Sequence, residues 1–397
     1  MVRIAHLADT HLGYRQYNLE EREKDIYDVL EEIGDKIIEE KADIVIHSGD
    51  LFDSSRPTTQ TYYVFKNFLK RLDGKTKFFA VLGDHDRPKA RGMAPHTLFD
   101  DQIHTLGLTG TAEHKKVEVN GEEVLIVGIS NLSRSYTPLL ADELNKLKKI
   151  ERTCPSILVM HQAIDQFLPF EDAWELAFTS FPKTFDYYAM GHLHARIKAS
   201  VGDGELAYPG SSEIIRSDEI SSWKKSGKGF FIVDIEGGDV KVNDVNLERI
   251  RPQIKGKINY SNLDSEVEKF VNNLNFEEKK PIVHLRVEGK EIDRQRVHEV
   301  INSAFSGKTL TLRTAIIEES QQKLPEIKPG AFNVKQVLRD YFKEEQTSKF
   351  AIELLKNLRE GDSEGAKNIT SEFYQIYQNR VGINDTEQDK SRKFRFS

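Results

Sequence analysis

The chain opens Val2-Arg3-Ile4-Ala5-His6-Leu7-Ala8-Asp9-Thr10-His11-Leu12-Gly13, an apolar run that stops on an Asp-x-His triplet. Such a run reads as a buried β-strand, with the carboxylate and imidazole standing where the strand would end. Ile44 to His47 leads in the same way into Gly49-Asp50-Leu51-Phe52-Asp53, and Lys77 to Leu82 leads into Gly83-Asp84-His85-Asp86. Ser156 to His161 ends on a lone histidine, and Tyr187 to Met190 precedes Gly191-His192-Leu193-His194. Carboxylates and imidazoles from five separate segments would therefore meet along one edge of a sheet. Mixed Asp and His donors without a thiolate suit borderline or hard divalent ions such as Mn2+, Fe2+ or Zn2+. Convergence of this many donors implies two ions, and two ions roughly 3.5 to 4 Å apart can clamp both oxygens of a phosphate ester undergoing hydrolysis.

Any one of these segments has a bland explanation, since Gly-Asp turns and His-x-His pairs are common in loops. Five of them, in order and each behind an apolar run, make coincidence improbable. Between them the chain alternates strand and helix: Leu19 to Glu40 and Thr59 to Leu72 carry helical periodicity. Open α/β sheets place their sites at the carboxyl ends of strands. From Val117 the pattern becomes richer in strands, with Val124 to Ile129, Glu205 to Tyr208 and Gly229 to Ile235 added to those above.

A chain of 397 residues is too long for one core and predicts two or three domains. Charged residues make up 30% and the mean hydropathy is −0.54. No apolar stretch approaches the roughly 20 residues that span a bilayer, so a cytoplasmic protein without membrane contact is expected. The single Cys154 excludes an internal disulfide and reads as a packed thiol beside Pro155. A net charge of −7 argues against a uniformly basic nucleic-acid binder, although local basic patches can coexist with acidic ligands.

A second unit begins near Arg251-Pro252. Its expected elements are a helix over Ser265 to Asn275, a strand over Pro281 to Val287, a helix over Asp293 to Ala304 and a strand over Leu310 to Ile317. The segment Lys323 to Gly330, with Pro325 and Pro329, reads as a linker. Beyond it, Val334, Val337, Leu338, Tyr341 and Phe342 share one helical face, opened by Asn333 as a cap. Phe350, Ala351, Leu354, Leu355 and Leu358 form a second face, and Ile369, Phe373, Ile376 and Tyr377 a third. Such helices pack either on each other and the preceding domain, or on a partner's helices.

The motif series D-x-H, G-D-x-x-D, G-D-H-D, H and G-H-x-H resembles that of the calcineurin-like metallophosphoesterases over about the first 240 residues. Three stretches narrow the resemblance: His6 to Gly13, Ser48 to Phe52 with Pro57 beyond, and Gly191 to His194 followed by Tyr208-Pro209-Gly210-Ser211. These resemble the double-strand-break repair nuclease family called meiotic recombination eleven, SbcD in bacteria. The resemblance implies an α/β fold: a metallophosphoesterase β-sandwich flanked by helices, with a small α+β capping domain and C-terminal helices. It divides the chain into a nuclease domain over 1–250, a DNA-capping domain over 251–322, a linker over 323–331, a partner-binding helical segment over 332–381 and a disordered tail over 382–397. It further implies a homodimeric, Mn2+-dependent exonuclease and endonuclease acting on DNA ends, partnered by a Rad-fifty-type ABC ATPase whose coiled coil the C-terminal helices grip.

Carried over residue by residue, the resemblance gives one metal to Asp9, His11, Asp50 and His194. The other goes to Asp50, Asp84, His161 and His192, with the Asp50 carboxylate bridging through its two oxygens. His85 would stabilise or protonate the leaving group. Two positions depart from the repair-nuclease pattern. Asp84 stands where Asn is usual, adding negative charge at the second ion. Asp53 stands where His is common, and would either orient His85 by accepting a ring N–H or cap the turn before Ser54.

His6 and His47 are expected to pack in the core or support the site, while His96, His104, His114, His284 and His298 lie outside the motifs. Arg56, Arg134 and the loop Arg87 to Arg91, with Lys89, border the site and are candidates for phosphate contacts. Two other functions fit parts of this pattern: a phosphoesterase of small molecules or phosphoproteins, and a non-catalytic scaffold. The scaffold would be expected to lack ligands, and every ligand position here bears a competent side chain.

Overall fold

The computed structural model describes residues 1–72, 74–88, 92–150, 153–168, 174–274, 278–318, 334–359 and 363–381. Two six-stranded mixed sheets form its centre. The first has the order β12-β11-β1-β2-β3-β4, built from β1 (Val2–Leu7), β2 (Ile44–His47), β3 (Lys77–Ala80), β4 (Ile103–Thr105), β11 (Gly229–Glu236) and β12 (Asp239–Asn246). The second has the order β5-β6-β7-β8-β10-β9. It uses β5 (Glu113–Val119), β6 (Glu122–Ile129), β7 (Ser156–His161), β8 (Tyr187–Gly191), β9 (Ile197–Val201) and β10 (Gly204–Tyr208).

Alternation along each strand sends side chains to opposite faces, and a separate apolar cluster covers each face. Ile4, Ile46, Phe79 and Phe231 of the first sheet meet Val124, Ile126, Val159 and Tyr187 of the second, all without solvent exposure. The outer face of the first sheet buries Ala5, Leu7 and Val45 beneath Ile26, Val29 and Ile33 of α1 (Glu20–Glu39) and Phe65 and Phe68 of α2 (Thr59–Leu72). On the outer face of the second, Val127, Leu158 and Tyr188 pack with Leu140 and Leu144 of α3 (Thr137–Leu147), and Cys154 lies partly buried against this cluster. The chain therefore forms the helix-flanked β-sandwich that its pattern predicts. A short helix, α4 (Ile220–Ser226), precedes β11.

Residues beyond 250 build a third, three-stranded parallel sheet, β13-β14-β15, from β13 (Gln253–Asn259), β14 (Ile282–Gly289) and β15 (Thr311–Glu318). One face is covered by α5 (Leu263–Asn272) and α6 (Arg294–Phe305), which bury Val267, Val271, Val297 and Ile301 over Val283, Leu285 and Val287. Asp293 caps α6, its carboxylate accepting the N–H groups of Gln295 and Arg296.

A second compact unit contains α7 (Val334–Phe342), α8 (Glu345–Arg359) and α9 (Ser363–Val381). Phe350 of α8 stacks on Phe373 of α9 with ring centroids 4.1 Å apart. Tyr341, Leu358, Tyr374 and Ile376 stay exposed. The expected linker, the Asn333 cap and the tail lie outside the described residues. Among the described residues no helix is long and apolar enough to cross a membrane.

Candidate metal centre

Register brings the five segments together. Leu7 of β1 pairs with His47 of β2, and His47 with Ala80 of β3, so Asp9, Asp50 and Asp84 leave three neighbouring parallel strands on the same side. In the other sheet His161, the last residue of β7, pairs with Gly191 of β8, which puts His192 just beyond it. A short backbone ladder locks the first two segments. The N–H groups of Asp9, His11 and Leu12 donate to the carbonyls of Gly49, Asp50 and Leu51 at 2.9 to 3.0 Å.

This edge is strained. Asp9, His11, Asp50 and His192 adopt φ of 50°, 45°, 54° and 93°. A side chain in that region costs on the order of 1–3 kcal/mol and persists where surrounding contacts over-determine it. Close approach also restricts two glycines: a Cβ on Gly83 would sit 2.0 Å from Asp50 Oδ1, and one on Gly191 would sit 2.0 Å from the Ser48 carbonyl. Asp86, fully buried, accepts the N–H groups of Phe52 and Gly83 at 2.9 Å and of Leu51 at 3.2 Å, tying the second and third segments together.

Ligand atoms of Asp9, His11 and His194 lie within 4.8 Å of one another, as do those of Asp84, His161 and His192, and of Asp9, Asp50 and His161. Asp50 stands between the two sets. Its Oδ2 is 3.7 Å from His11 Nε2 and 3.5 Å from His161 Nε2. Its Oδ1 accepts the main-chain N–H of His85 at 3.0 Å, so one oxygen rather than two faces both sets.

The outer ring nitrogens determine what the inner ones offer. His161 Nδ1 is 2.8 Å from the Ser48 carbonyl, His194 Nδ1 is 2.7 Å from Glu219 Oε1, and His11 Nδ1 is 3.3 Å from Asp53 Oδ1. Each of these oxygens only accepts, so Nδ1 carries a hydrogen and Nε2 is the nitrogen turned inward, free to bind an ion once it gives up any proton. Inward nitrogens crowd in pairs, His11 Nε2 with His194 Nε2 at 3.2 Å and His161 Nε2 with His192 Nδ1 at 3.2 Å. Facing lone pairs repel unless a proton or cation lies between them. The donor set of carboxylates and imidazoles, without thiolate, fits hard or borderline divalent ions.

The charges agree. Burial pulls the His11 pKa down, but Asp53, Asp50 and Asp9 outweigh it and push it up to about 9. His161 is likewise desolvated, yet Asp50 and Asp84 hold it well above the ordinary imidazole value. Burial would raise the carboxyls of Asp50 and Asp84, but the facing histidines hold both below the usual range.

Asp84 is the most open member of the set. Its Oδ1 lies 3.3 Å from His161 Nε2 and 3.2 Å from His192 Nδ1. His85 is exposed, with Nδ1 2.8 Å from the main-chain carbonyl of Asp53. The Asp53 carboxylate is farther from that ring, at 3.7 Å, and closer to His11. Asp53 thus meets His85 mainly through its backbone. Beside them lies a cleft of about 660 Å³ lined by Asp53, Arg56, Asp84, His85, Arg87 and Met93. The Arg87 guanidinium donates to the Asn131 carbonyl. Lys89 and Arg91 lie outside the described residues.

His6 and His47 support the edge from beneath: His6 contacts Ser48 Oγ at 2.8 Å and Tyr187 Oη at 2.7 Å, and His47 contacts Thr10 Oγ1 at 3.0 Å. Sequence reasoning assigned no part to Glu219, Glu175, Lys228 or the Ser48 carbonyl. Of these, only Glu219 left a local signal, and that was a helix-opening Ser-Asp-Glu.

Residues 2–196 match the family model described as calcineurin-like phosphoesterase. The chain is 37% identical over 308 residues to the DNA double-strand break repair protein Mre11 of Saccharolobus solfataricus, which covers 75% of this chain and 78% of that protein. It is 34% identical to the protein of that name from Thermoplasma acidophilum, over 91% of this chain and 95% of that one. The relative from Methanocaldococcus jannaschii is 32% identical over 94% and 98%. The chain belongs to the Mre11 family. It is a metal-dependent phosphodiesterase, and the donor clusters at the sheet edge are groups that could hold metal ions.

Proposed function

We propose that the protein is a Mn2+-dependent nuclease that processes DNA double-strand-break ends, working in the cytoplasm as a homodimer with a Rad-fifty-type coiled-coil ABC ATPase. The carrying observation is the position of Asp50 Oδ2 between two donor sets, 3.7 Å from His11 Nε2 and 3.5 Å from His161 Nε2. In this reading Asp9, His11, Asp50 and His194 hold one ion, and Asp50, Asp84, His161 and His192 the other. Bound there, the ions would supply Lewis acidity toward the phosphate and a nucleophilic water. The protein's own groups do the rest. His85, anchored through Nδ1 to the Asp53 carbonyl, keeps Nε2 to hold or deliver a proton at the leaving oxygen.

A basic row on the third sheet supports nucleic acid as the substrate. Lys255, His284 and Arg313 lie side by side in register across β13, β14 and β15, on the face opposite α5 and α6. Lys257 and Arg286 on that face are paired with Glu288, whereas Lys255 and Arg313 have no ion pair among the described residues. The Arg313 guanidinium lies 4.8 Å from the centre of the Tyr17 ring, and Tyr17 belongs to the segment that leaves the metal edge. Cations and an aromatic ring so disposed suit a phosphate backbone. The exposed residues of α7–α9 support a docking role toward a partner's helices.

The test is cleavage of blunt duplex DNA with and without Mn2+, run beside hydrolysis of a mononucleotide. Mn2+-dependent shortening of the duplex with little mononucleotide hydrolysis is expected. Vigorous mononucleotide hydrolysis with an intact duplex would make the protein a small-molecule phosphoesterase instead.

A further inference from the structure

A buried polar cluster behind the metal edge is built around two residues with no place in any motif, Glu219 and Lys228. Both are buried, at 6% and 3% exposure. The Lys228 ammonium has three hydrogens and three acceptors within reach: the His194 carbonyl at 2.9 Å, Ser211 Oγ at 2.5 Å and Glu219 Oε2 at 2.5 Å. Glu219 is held at both oxygens. Oε1 accepts the Arg216 N–H at 2.9 Å and faces His194 Nδ1 at 2.7 Å, while Oε2 accepts from Lys228 and from Ser211 Oγ at 2.8 Å. A buried carboxylate would be costly alone, and Lys228 supplies its counter-charge.

We infer that Glu219 and Lys228 are a positioning pair that fixes His194 as an ion ligand. Lys228 grips the backbone of His194 and, at the same time, orients the carboxylate that receives its ring N–H. The imidazole is thereby fixed in rotation and tautomer, with Nε2 bare toward Asp9 and His11. The contrast with His192 supports a dedicated function: among the described residues the carboxylate nearest its outer nitrogen is that of Glu175, at 3.9 Å. Neither Glu219 nor Lys228 lines the cleft, so their contribution runs through His194 rather than through contact with substrate.

This inference rests on the reading of His194 as a ligand, and the test separates the two. Mn2+ binding to wild type, Glu219→Gln and His194→Ala is measured by calorimetry, with long-range 1H–15N spectra of the metal-free proteins reporting the His194 tautomer. The Gln amide can donate where the carboxylate accepted. Glu219→Gln is therefore expected to shift His194 toward the Nε2–H tautomer and to weaken one ion by about 10- to 100-fold. The other ion should stay close to wild type, while the thermal midpoint falls because the buried Lys228 loses its counter-charge. If His194→Ala loses an ion while Glu219→Gln binds both at wild-type affinity, the positioning pair is refuted. If His194→Ala keeps both ions, the ligand reading itself fails. Should Glu219→Gln not fold, Glu219→Asp keeps the counter-charge for Lys228 but withdraws the oxygen from the ring. It should weaken the same ion, and wild-type affinity there would equally overturn the inference.

Discussion

Asp50 and His85 are joined through the backbone: the His85 N–H donates to Asp50 Oδ1 at 3.0 Å, while the other oxygen of Asp50 faces both donor sets. The residue proposed to handle the leaving group is thereby anchored by main chain to the residue proposed to bridge the ions. Its side chain remains free of that bond and borders the open cleft. Removing the imidazole need not disturb the bridge.

His85→Ala should therefore lower turnover by about 10²- to 10⁴-fold, the usual range for a general acid–base group. Both ions and DNA affinity should be retained. Elemental analysis of the purified variant checks this. A variant holding one ion instead of two would make His85 a ligand, a role its proximity to Asp50 and Asp84 also permits.

For Asp84, the Asn variant should keep two ions and remain within about tenfold of wild-type activity, since an amide oxygen can replace one carboxylate oxygen at a hard-ion site. Asp84→Ala leaves His161 and His192 facing each other with no oxygen between and should lose the second ion. Mn2+ titration followed by calorimetry distinguishes the two variants, and two bound ions in Asp84→Ala would exclude the residue as a ligand.

The row Lys255–His284–Arg313 predicts a salt signature. Lys255→Ala with Arg313→Ala should weaken duplex binding by about tenfold at low salt and reduce the slope of log affinity against log salt by about two, one counterion for each lost phosphate contact. Ion content should not change. An unaltered slope in fluorescence anisotropy would remove the third sheet from the DNA path.

Acid should destabilise the fold through histidines that are not ligands. Burial pushes the His6 pKa down to about 3, and it lowers those of His47 and His96. Because these folded values lie below the ordinary 6.5, the stability they contribute is present above pH 6.5 and is lost as pH falls from there toward 3. Each costs up to about 1.4 kcal/mol per pH unit. His11 and His161, raised instead, contribute stability that is already complete below pH 6.5 and add no slope there in chelator-treated protein. Urea midpoints of that protein should fall steeply between pH 6.5 and 5, and less steeply in His6→Gln. Equal slopes would show that His6 does not carry the effect.

How much of this was legible depended on where information is stored along the chain. Central strands such as β2 and β7 are apolar on both faces and read directly, with Ile44–His47 and Ser156–His161 found at their expected bounds. The strands that escaped notice are β4 and β12, the two edges of one sheet, β5 and β9, the two edges of the second, and β13, an edge of the third. An edge strand half open to solvent, like Asp239–Asn246 with its valines between polar residues, carries too little apolar contrast to stand out. The site divides in the same way. Asp9, Asp50, Asp84 and His192 each follow a strand that announces them, and His161 ends one. Glu219 lies 25 residues from the ring it holds and belongs to a helix start that looks ordinary by itself.

The C-terminal helices give the last prediction. Phe350 and Phe373 hold α8 and α9 together, so part of the apolar periodicity is internal packing, while Tyr341, Leu358, Tyr374 and Ile376 are left outward. All proposed ligands and both residues of the positioning pair precede residue 229. A chain ending at residue 333 should therefore keep Mn2+-dependent cleavage and fail to co-purify with the coiled-coil ATPase. Leu358→Glu with Ile376→Glu places charge where the partner would cover apolar surface, which costs on the order of several kcal/mol when a charge is buried unpaired. The expected result is lost binding with helix content unchanged by circular dichroism. Leu354→Glu with Leu355→Glu, at partly buried positions of α8, should also lose binding but lower helix content. Wild-type binding by the Leu358 and Ile376 double variant would mean that these exposed side chains are not the docking surface.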